Sequence, residues 1–126
     1  MTVEIKYDEA KQLLKIRTIG PFSLEDFTSA METIVNSDEY PTSANVIWDF
    51  READLSSADA NFWERIIDSR KMFPQRDNCW TAMIATDDLE YGLIRMLQLL
   101  TEGKLPQRLM VFRDYEEGEK WLLENT

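Results

Sequence analysis

The chain begins with two segments in which polar and apolar residues alternate, residues 2–7 and 12–19, joined by a short polar connection. Alternation with a period of two is typical of strands that have one buried face. We therefore predict an antiparallel hairpin at the start of the chain. Gly20 and Pro21 end its second strand in this interpretation, and Ser23 caps a first helix whose apolar residues recur at helical spacing.

The segment 45–57, NVIWDFREADLSS, predicts a central strand that leads into a second helix. Its apolar run places β-branched and aromatic side chains at alternate positions, and both kinds favour a strand. Charged residues follow, and either Ser56 or Ser57 can cap the free N–H groups of a helix that begins near Ala58. Strand, polar loop and helix in this order form the repeating unit of α/β proteins.

The remaining apolar patterns continue the alternation of strands and helices. They predict a helix closed by Pro74, a strand over residues 79–86, a third helix, a last strand over 107–113 and a last helix over 115–124. Helices between successive strands imply right-handed crossovers and a mostly parallel sheet. We predict a single α/β domain over residues 1–126, with five strands and four main helices.

Composition disfavours several kinds of partner. The 126 residues carry 24 acidic against 14 basic side chains, a net charge of −10, which disfavours nucleic acid as a partner. Neither a signal peptide nor an apolar run near the roughly 20 residues needed to span a bilayer is visible. We therefore expect a cytoplasmic protein.

Catalytic and metal chemistry also lack their usual residues. The chain has no histidine and one cysteine, Cys79, whose place at the start of an apolar run is typical of buried packing. Asp87 and Asp88 are adjacent, but the first turn of a helix explains them without a metal ion. We therefore predict no catalytic residues, no metal site and no cofactor.

Four segments carry a resemblance to a known family. They are GPFSLEDF (20–27), VIWDFREADLS (46–56), YGLIRM (91–96) and VFRDYEEGEKWL (111–122). In this order they resemble the SpoIIAA-like branch of the STAS superfamily over nearly the whole chain. The resemblance implies one STAS-type domain, although a fold shared by many proteins does not carry a mechanism with it.

The resemblance implies two different roles. Anti-sigma-factor antagonists of this superfamily are switched by phosphorylation of a serine in an Asp-Ser pair followed shortly by glycine. Here the pair and the glycine are missing, and Ser57 and Ser56 are the candidate acceptors. The divergent bacterial branch, which this chain matches better, is similar to CRAL-TRIO lipid-carrier domains. It implies a non-catalytic module that binds a small apolar ligand or contacts a membrane peripherally, and the antagonist role is the alternative.

Arg51 and Arg113 are the candidate ligand residues that the element pattern indicates. Each follows a predicted parallel strand, at the edge where open α/β sheets bind ligands. Two guanidinium groups there could hold the head of an anionic amphiphile, although pairing with neighbouring aspartates is the favoured interpretation. Trp48 and Trp63 could line a cavity for the tail, but such residues are more often simply core.

Two further segments carry predictions. The segment 64–77 has basic side chains, among them Arg70 and Arg76, that could touch anionic lipid. Acidic residues are interleaved with them, so a solvated helix face is the favoured interpretation. Ile94 and Leu99 fall off the main apolar face of the third helix, which predicts a homodimer or a mobile ligand lid there.

Overall fold

The computed structural model describes residues 2–106 and 108–125. Its elements are β1 (Thr2–Asp8), β2 (Leu13–Pro21), α1 (Leu24–Asn36), β3 (Asn45–Asp54), α2 (Ala60–Arg70), a 3-10 turn (Pro74–Arg76), β4 (Trp80–Ile84), α3 (Asp88–Thr101), β5 (Arg108–Phe112) and α4 (Tyr115–Glu124). The predicted α/β class, five strands and four main helices are confirmed. Gln107, which the pattern places first in the last strand, lies outside the described residues. No helix in the described ranges is long and apolar enough to cross a membrane.

The strands lie in the order β1-β2-β3-β4-β5. β1 is antiparallel to β2, which confirms the hairpin, and the other three neighbouring pairs are parallel. β3 is longer than its apolar run predicts, because β2 pairs with it as far as Pro21 and Asp54, whereas β4 pairs with it only as far as Asp49. The ends of β2 and β3 therefore extend beyond the rest of the sheet as a two-stranded ribbon.

Helices cover the two faces of the sheet unequally. α1, α2 and α3 form the core on one face with Trp48 and its neighbours at alternate positions. α4 lies on the opposite face, where Leu122 packs with Ile47 and Ile84. Since α1, α2 and α3 connect successive parallel strands in one direction across the sheet, right-handed crossovers place all three on the same face. Residues 45–50 of β3 are consequently all buried.

Side-chain caps fix where most of the helices begin. Ser23 caps α1 as predicted, and its Oγ accepts the Asp26 N–H at 3.1 Å. Asp87 caps α3 and Asp114 caps α4 in the same manner. These carboxylates also stabilise the positive end of each helix dipole.

The start of α2 differs from the prediction. The helix begins at Ala60, and Asp59 is its cap, accepting a backbone N–H of the first turn at 2.8 Å. The expectation that Ser56 or Ser57 caps a helix beginning near Ala58 is therefore wrong. Both serines lie in an exposed turn whose flanking residues are buried, and this turn delays the helix by two residues.

α3 presents to the core a face that its apolar pattern does not predict. The residues that it buries are Ile94, Leu97, Gln98 and Thr101. The prediction that Ile94 lies off the main face is thus wrong, whereas Leu99 and Leu89 are 52% and 58% exposed. The physical reason is polar, because the side-chain oxygen of Gln98 accepts the N–H of Val111 in β5 at 3.2 Å.

Gly118 lies where α4 crosses the sheet. Helix propensity favours alanine at this position, so the sequence predicts close packing. A methyl group at Gly118 would lie 2.5 Å from Cδ1 of Ile84 and 3.3 Å from the ring of Phe112. The close packing is confirmed, and it explains why α4 can approach the strands so nearly.

We expect Gly118→Ala to lower the free energy of unfolding by about 1 kcal/mol, because overpacking outweighs the gain in helix propensity. Gly92→Ala in α3 is the matched control, since nothing lies within 4 Å of a methyl group there. That variant should be more stable by about 0.5–1 kcal/mol. Urea unfolding of both variants checks this, and equal changes of the same sign would contradict it.

Candidate functional site

An apolar interior with two buried arginines at one end lies between the sheet and helices α1, α2 and α3. Its apolar wall includes Phe27, Met31, Trp48, Ile67, Met83 and Leu97. The volume of this apolar interior is about 30 Å³. That is room for one water molecule and about a tenth of the smallest usual ligand pocket.

Arg70 ends α2 with its side chain turned inward, 4% exposed. Its guanidinium donates to the carbonyl oxygens of Phe73 and Arg76 at 2.9 and 2.7 Å. It also pairs with the carboxylate of Asp77 at 3.2 Å. Burial lowers the pKa of Arg70, and Asp77 opposes that change. Arg70 thus has a local counter-charge.

Arg76 lies beside it and is 3% exposed. Its guanidinium donates to the backbone carbonyls of Pro41, Thr42 and Ala44, the first two at 3.0 and 2.9 Å. Among the described residues no carboxylate lies within 4 Å of it. Burial lowers the pKa of Arg76, yet arginine stays protonated in proteins. Three of its five N–H groups thus have carbonyl acceptors, but none of the described carboxylates lies near its charge.

Both arginines correct the sequence interpretation, which placed the segment 64–77 on a solvated helix face. Arg70 could have been recognised, because it follows Ile66 and Ile67 by four and three residues and therefore shares their buried side of α2. Arg76 follows the end of the helix, where periodicity gives no signal. Its burial depends on the loop before β3, which is far away in the sequence.

These arginines lie at the edge of the sheet where the parallel strands begin. Arg76 binds the loop that leads into β3, and Thr81 and Leu109, near the starts of β4 and β5, also line the apolar interior. The sequence predicts candidate ligand residues, Arg51 and Arg113, at the opposite edge, where the strands end. The buried cations therefore lie at the edge for which no ligand residues are predicted.

Cys79 borders the same site and is 2% exposed. Its thiol donates to the carbonyl oxygen of Thr42 at 3.0 Å. Burial raises the pKa of Cys79, and the charges of Arg76 and Arg70 oppose that rise in part. The predicted buried packing of Cys79 is confirmed. In the described part of the chain no group of three or more His, Cys, Asp or Glu side chains is placed to hold a metal ion.

Of the two candidate tryptophans, Trp48 lines the apolar interior and Trp63 does not. Trp48 is stacked between Phe27 and Phe50, with ring centroids 5.6 and 5.8 Å apart. Trp63 is 1% exposed, and its indole N–H has no hydrogen-bond partner among the described residues. Trp48 is thus both core and cavity wall, and Trp63 is core.

Arg51 lies inside β3, not past its end as the sequence predicted. Its guanidinium holds Asp49 with two hydrogen bonds of 2.9 and 2.8 Å and lies 5.0 Å from the ring centroid of Tyr115 in α4. Asp49 is nearly buried, with 11% of its side chain exposed. Arg51 therefore neutralises a carboxylate on the face that α4 covers.

Arg113 follows β5 as predicted and contacts the start of α3. It donates to Asp88 at 2.6 Å and lies 4.2 Å from the ring centroid of Tyr91. The two arginines are thus held by different partners, Arg51 against α4 and Arg113 against α3. Internal pairing, the favoured interpretation, fits both, and capture of a ligand by Arg51 and Arg113 stays a prediction.

Comparison with known proteins identifies the fold. No protein-family model and no curated protein matches the chain. The structure is similar to the crystal structure of an uncharacterised protein of the DUF3478 family with a SpoIIAA-like fold from Shewanella loihica PV-4. The TM-score is 0.61 at 14% sequence identity, and the match covers 96% of this chain and 92% of that one. The chain has a SpoIIAA-like fold. At this identity the likeness shows the fold alone.

Within the SpoIIAA-like fold, the candidate phosphoacceptors lie between β3 and α2. Ser56 and Ser57 are exposed, and the Ser56 N–H donates to the carboxylate of Asp54 at 2.9 Å. Asp59 already occupies the cap of α2. A phosphate on Ser57 would therefore compete with a carboxylate for the same helix N-terminus. Phosphorylation of either serine stays a prediction.

We expect Arg51→Ala to lower the free energy of unfolding by about 1–3 kcal/mol, because it leaves the nearly buried Asp49 without its partner. Arg113→Ala is the matched control. Its partner Asp88 is 92% exposed, so loss of the Arg113 side chain should lower the free energy of unfolding by less than about 1 kcal/mol. Urea unfolding of both variants measures the difference. A similar loss of unfolding free energy in both variants would show that the burial of Asp49 does not determine the loss.

We expect the stability contributed by Cys79 to depend on pH. Its folded pKa is raised, so this contribution is fully present below the unfolded pKa of about 8.5 and is lost as pH rises through the folded pKa. Above about pH 8.5, the unfolded pKa of a thiol, the free energy of unfolding of the wild type should therefore fall more steeply with rising pH than that of Cys79→Ala. Parallel curves for the two proteins would refute the raised pKa.

Proposed function

We propose that this SpoIIAA-like domain is a non-catalytic module that binds a small anionic amphiphile. The ligand's tail enters the apolar interior, and its head lies beside Arg76. The observation that carries the proposal is a buried guanidinium that borders an apolar wall and has no carboxylate within 4 Å among the described residues.

The charge of Arg76 is the first support. A buried cation costs free energy unless a negative charge compensates it. Three carbonyl oxygens accept hydrogen bonds from Arg76. They use three of its five N–H groups and leave its net charge in place. A carboxylate or phosphate head group would supply that compensation and would gain a charge-assisted hydrogen bond in a water-poor environment.

The lining of the apolar interior is the second support. Its residues are mostly aliphatic, aromatic or methionine side chains. Met31 and Met83 are unbranched and can change rotamer to make room. Leu105 and Leu109 are only partly buried and line the side next to the α3–β5 connection. A tail therefore enters there by displacing flexible side chains, because the volume of about 30 Å³ does not accommodate it otherwise.

The anti-sigma-factor-antagonist role is the alternative function. What supports it is the exposure of Ser56 and Ser57 in the turn between β3 and α2, where a kinase can reach both hydroxyl groups. Two features weigh against it. The Asp-Ser pair of the antagonists is absent, and Asp59 holds the helix cap that a phosphate would use. Modification of either serine by a kinase would be the test of this role.

Isothermal titration calorimetry with sodium octanoate and 1-octanol tests the proposed function. We expect octanoate to bind at least about tenfold more tightly than octanol, because a charge-assisted hydrogen bond adds to the same tail. Arg76→Met should remove this preference. Arg113→Met is the matched control, because its exposed guanidinium pairs with Asp88 at the opposite edge, and it should keep the preference.

A second variant covers the case in which Arg76→Met does not fold. Leu97→Ala enlarges the apolar interior, so it should lower stability by about 2–5 kcal/mol and yet bind octanoate more tightly than the wild type. Absence of octanoate binding to both the wild type and Leu97→Ala would refute the proposal. So would a folded Arg76→Met that still prefers octanoate to octanol.

A further inference from the structure

β1 is an open edge of the sheet. It pairs with β2 on one side, and the described strands place no neighbour on its other side. An edge strand of seven residues presents a row of backbone N–H and C=O groups that can pair with another strand. The side chains of β1 decide which strand fits.

One face of β1 is apolar and has room beside it. Val3 and Ile5 are partly buried and line a groove of about 360 Å³ along α1. The α1 residues that line this groove include Ser29, Ala30 and Thr33, which are small. An added strand could therefore place apolar side chains in the groove without meeting a bulky residue.

The other face of β1 is charged, and Lys6 is the charge on it that has no pairing within the described residues. Glu4 pairs with Arg17 at 3.4 Å, and Asp8 pairs with Lys15 at 3.0 Å. Lys6 is exposed and lies directly opposite Lys15 in β2. Within the described residues no carboxylate lies within 4 Å of Lys6. Like charges directly opposite each other destabilise a sheet, so Lys6 would gain from an acidic neighbour on its free side.

We propose that β1 pairs antiparallel with β1 of a second copy of this chain, with the two-fold axis at Ile5. The sequence of the strand, TVEIKYD, is self-complementary about that residue. In this register Glu4 of each copy lies opposite Lys6 of the other, and Val3 lies opposite Tyr7. The two Ile5 side chains meet on the apolar face, in line with the groove. The two sheets join into one sheet of ten strands.

The contacts made in this register favour a second copy of the chain as the partner of β1. Each Lys6 obtains a carboxylate on the side away from Lys15, and each Glu4 lies between Arg17 of its own chain and the Lys6 of the other. An isologous interface repeats the same contacts twice. Pairing through β1 does not depend on ligand binding, because no residue of β1 lines the apolar interior.

Charge-reversal variants test the register by sedimentation velocity. Lys6→Glu places two acidic residues opposite each other at both symmetric positions, and Glu4→Lys places two basic ones there. We expect each variant alone to raise the dimer dissociation constant by about tenfold or more. An equimolar mixture should restore wild-type dimerisation, because acidic residues of one variant then face basic residues of the other.

Lys120→Glu is the control for net charge, since Lys120 is 77% exposed on α4 and lies outside the proposed interface. It should dimerise like the wild type, and circular dichroism should show that all the variants are folded. A wild type that stays monomeric at about millimolar concentration, where even weak dimers form, overturns the proposal. A mixture of the two variants that stays monomeric while the wild type dimerises overturns the register.

Discussion

Burial of β3 on both faces is the constraint on which the rest of the structure depends. Residues 45–50 are all buried, and alternate side chains point to different layers. Trp48 stacks with rings from α1 and from its own strand, while Ile47 packs with Leu122 of α4. A strand that is buried on both sides needs a layer on each side, and the helices of an α/β arrangement supply those layers.

Three of the arginines, Arg51, Arg113 and Arg76, have different physical roles. Arg51 neutralises a nearly buried carboxylate, and Arg113 makes an exposed pair at the surface. Arg76 is buried among three backbone carbonyls, which accept hydrogen bonds from it and leave its charge uncompensated. Only this last role provides free energy that an anionic ligand could recover on binding. The protein carries a net charge of −10, so the proposed anionic ligand would have to be attracted by such a local site.

Unequal coverage of the sheet leaves the hairpin open on one side. α4 covers the inner strands, while Glu4, Lys6, Lys15 and Arg17 of the hairpin line a charged groove of about 200 Å³ on the same face. Charged residues on an edge strand can either prevent or direct pairing with another strand. In the proposed dimer their alternation directs pairing toward an antiparallel copy of the same strand. The proposed ligand site and the open edge are thus separate consequences of one layered core.

The amino-acid sequence by itself determined the kind and order of the elements. Periodicities of two and of 3.6 are local properties, and so are caps such as Ser23 and the close-packed Gly118, whose poor helix propensity indicates a steric reason. The burial of Arg70 could also have been predicted from the sequence, because Arg70 follows Ile66 and Ile67 by four and three residues and so lies on the same side of α2. The resemblance carried by four short segments correctly indicated the SpoIIAA-like fold.

Tertiary structure decided the rotation of α3 and the burial of Arg76. Gln98 turns inward because β5 offers it a backbone N–H, and Arg76 is buried because the loop before β3 offers three carbonyl oxygens. Each of these contacts joins residues far apart in the chain or in different elements. Local patterns contain no information about such partners, because a polar side chain becomes buried only where the folded chain supplies the groups that satisfy it.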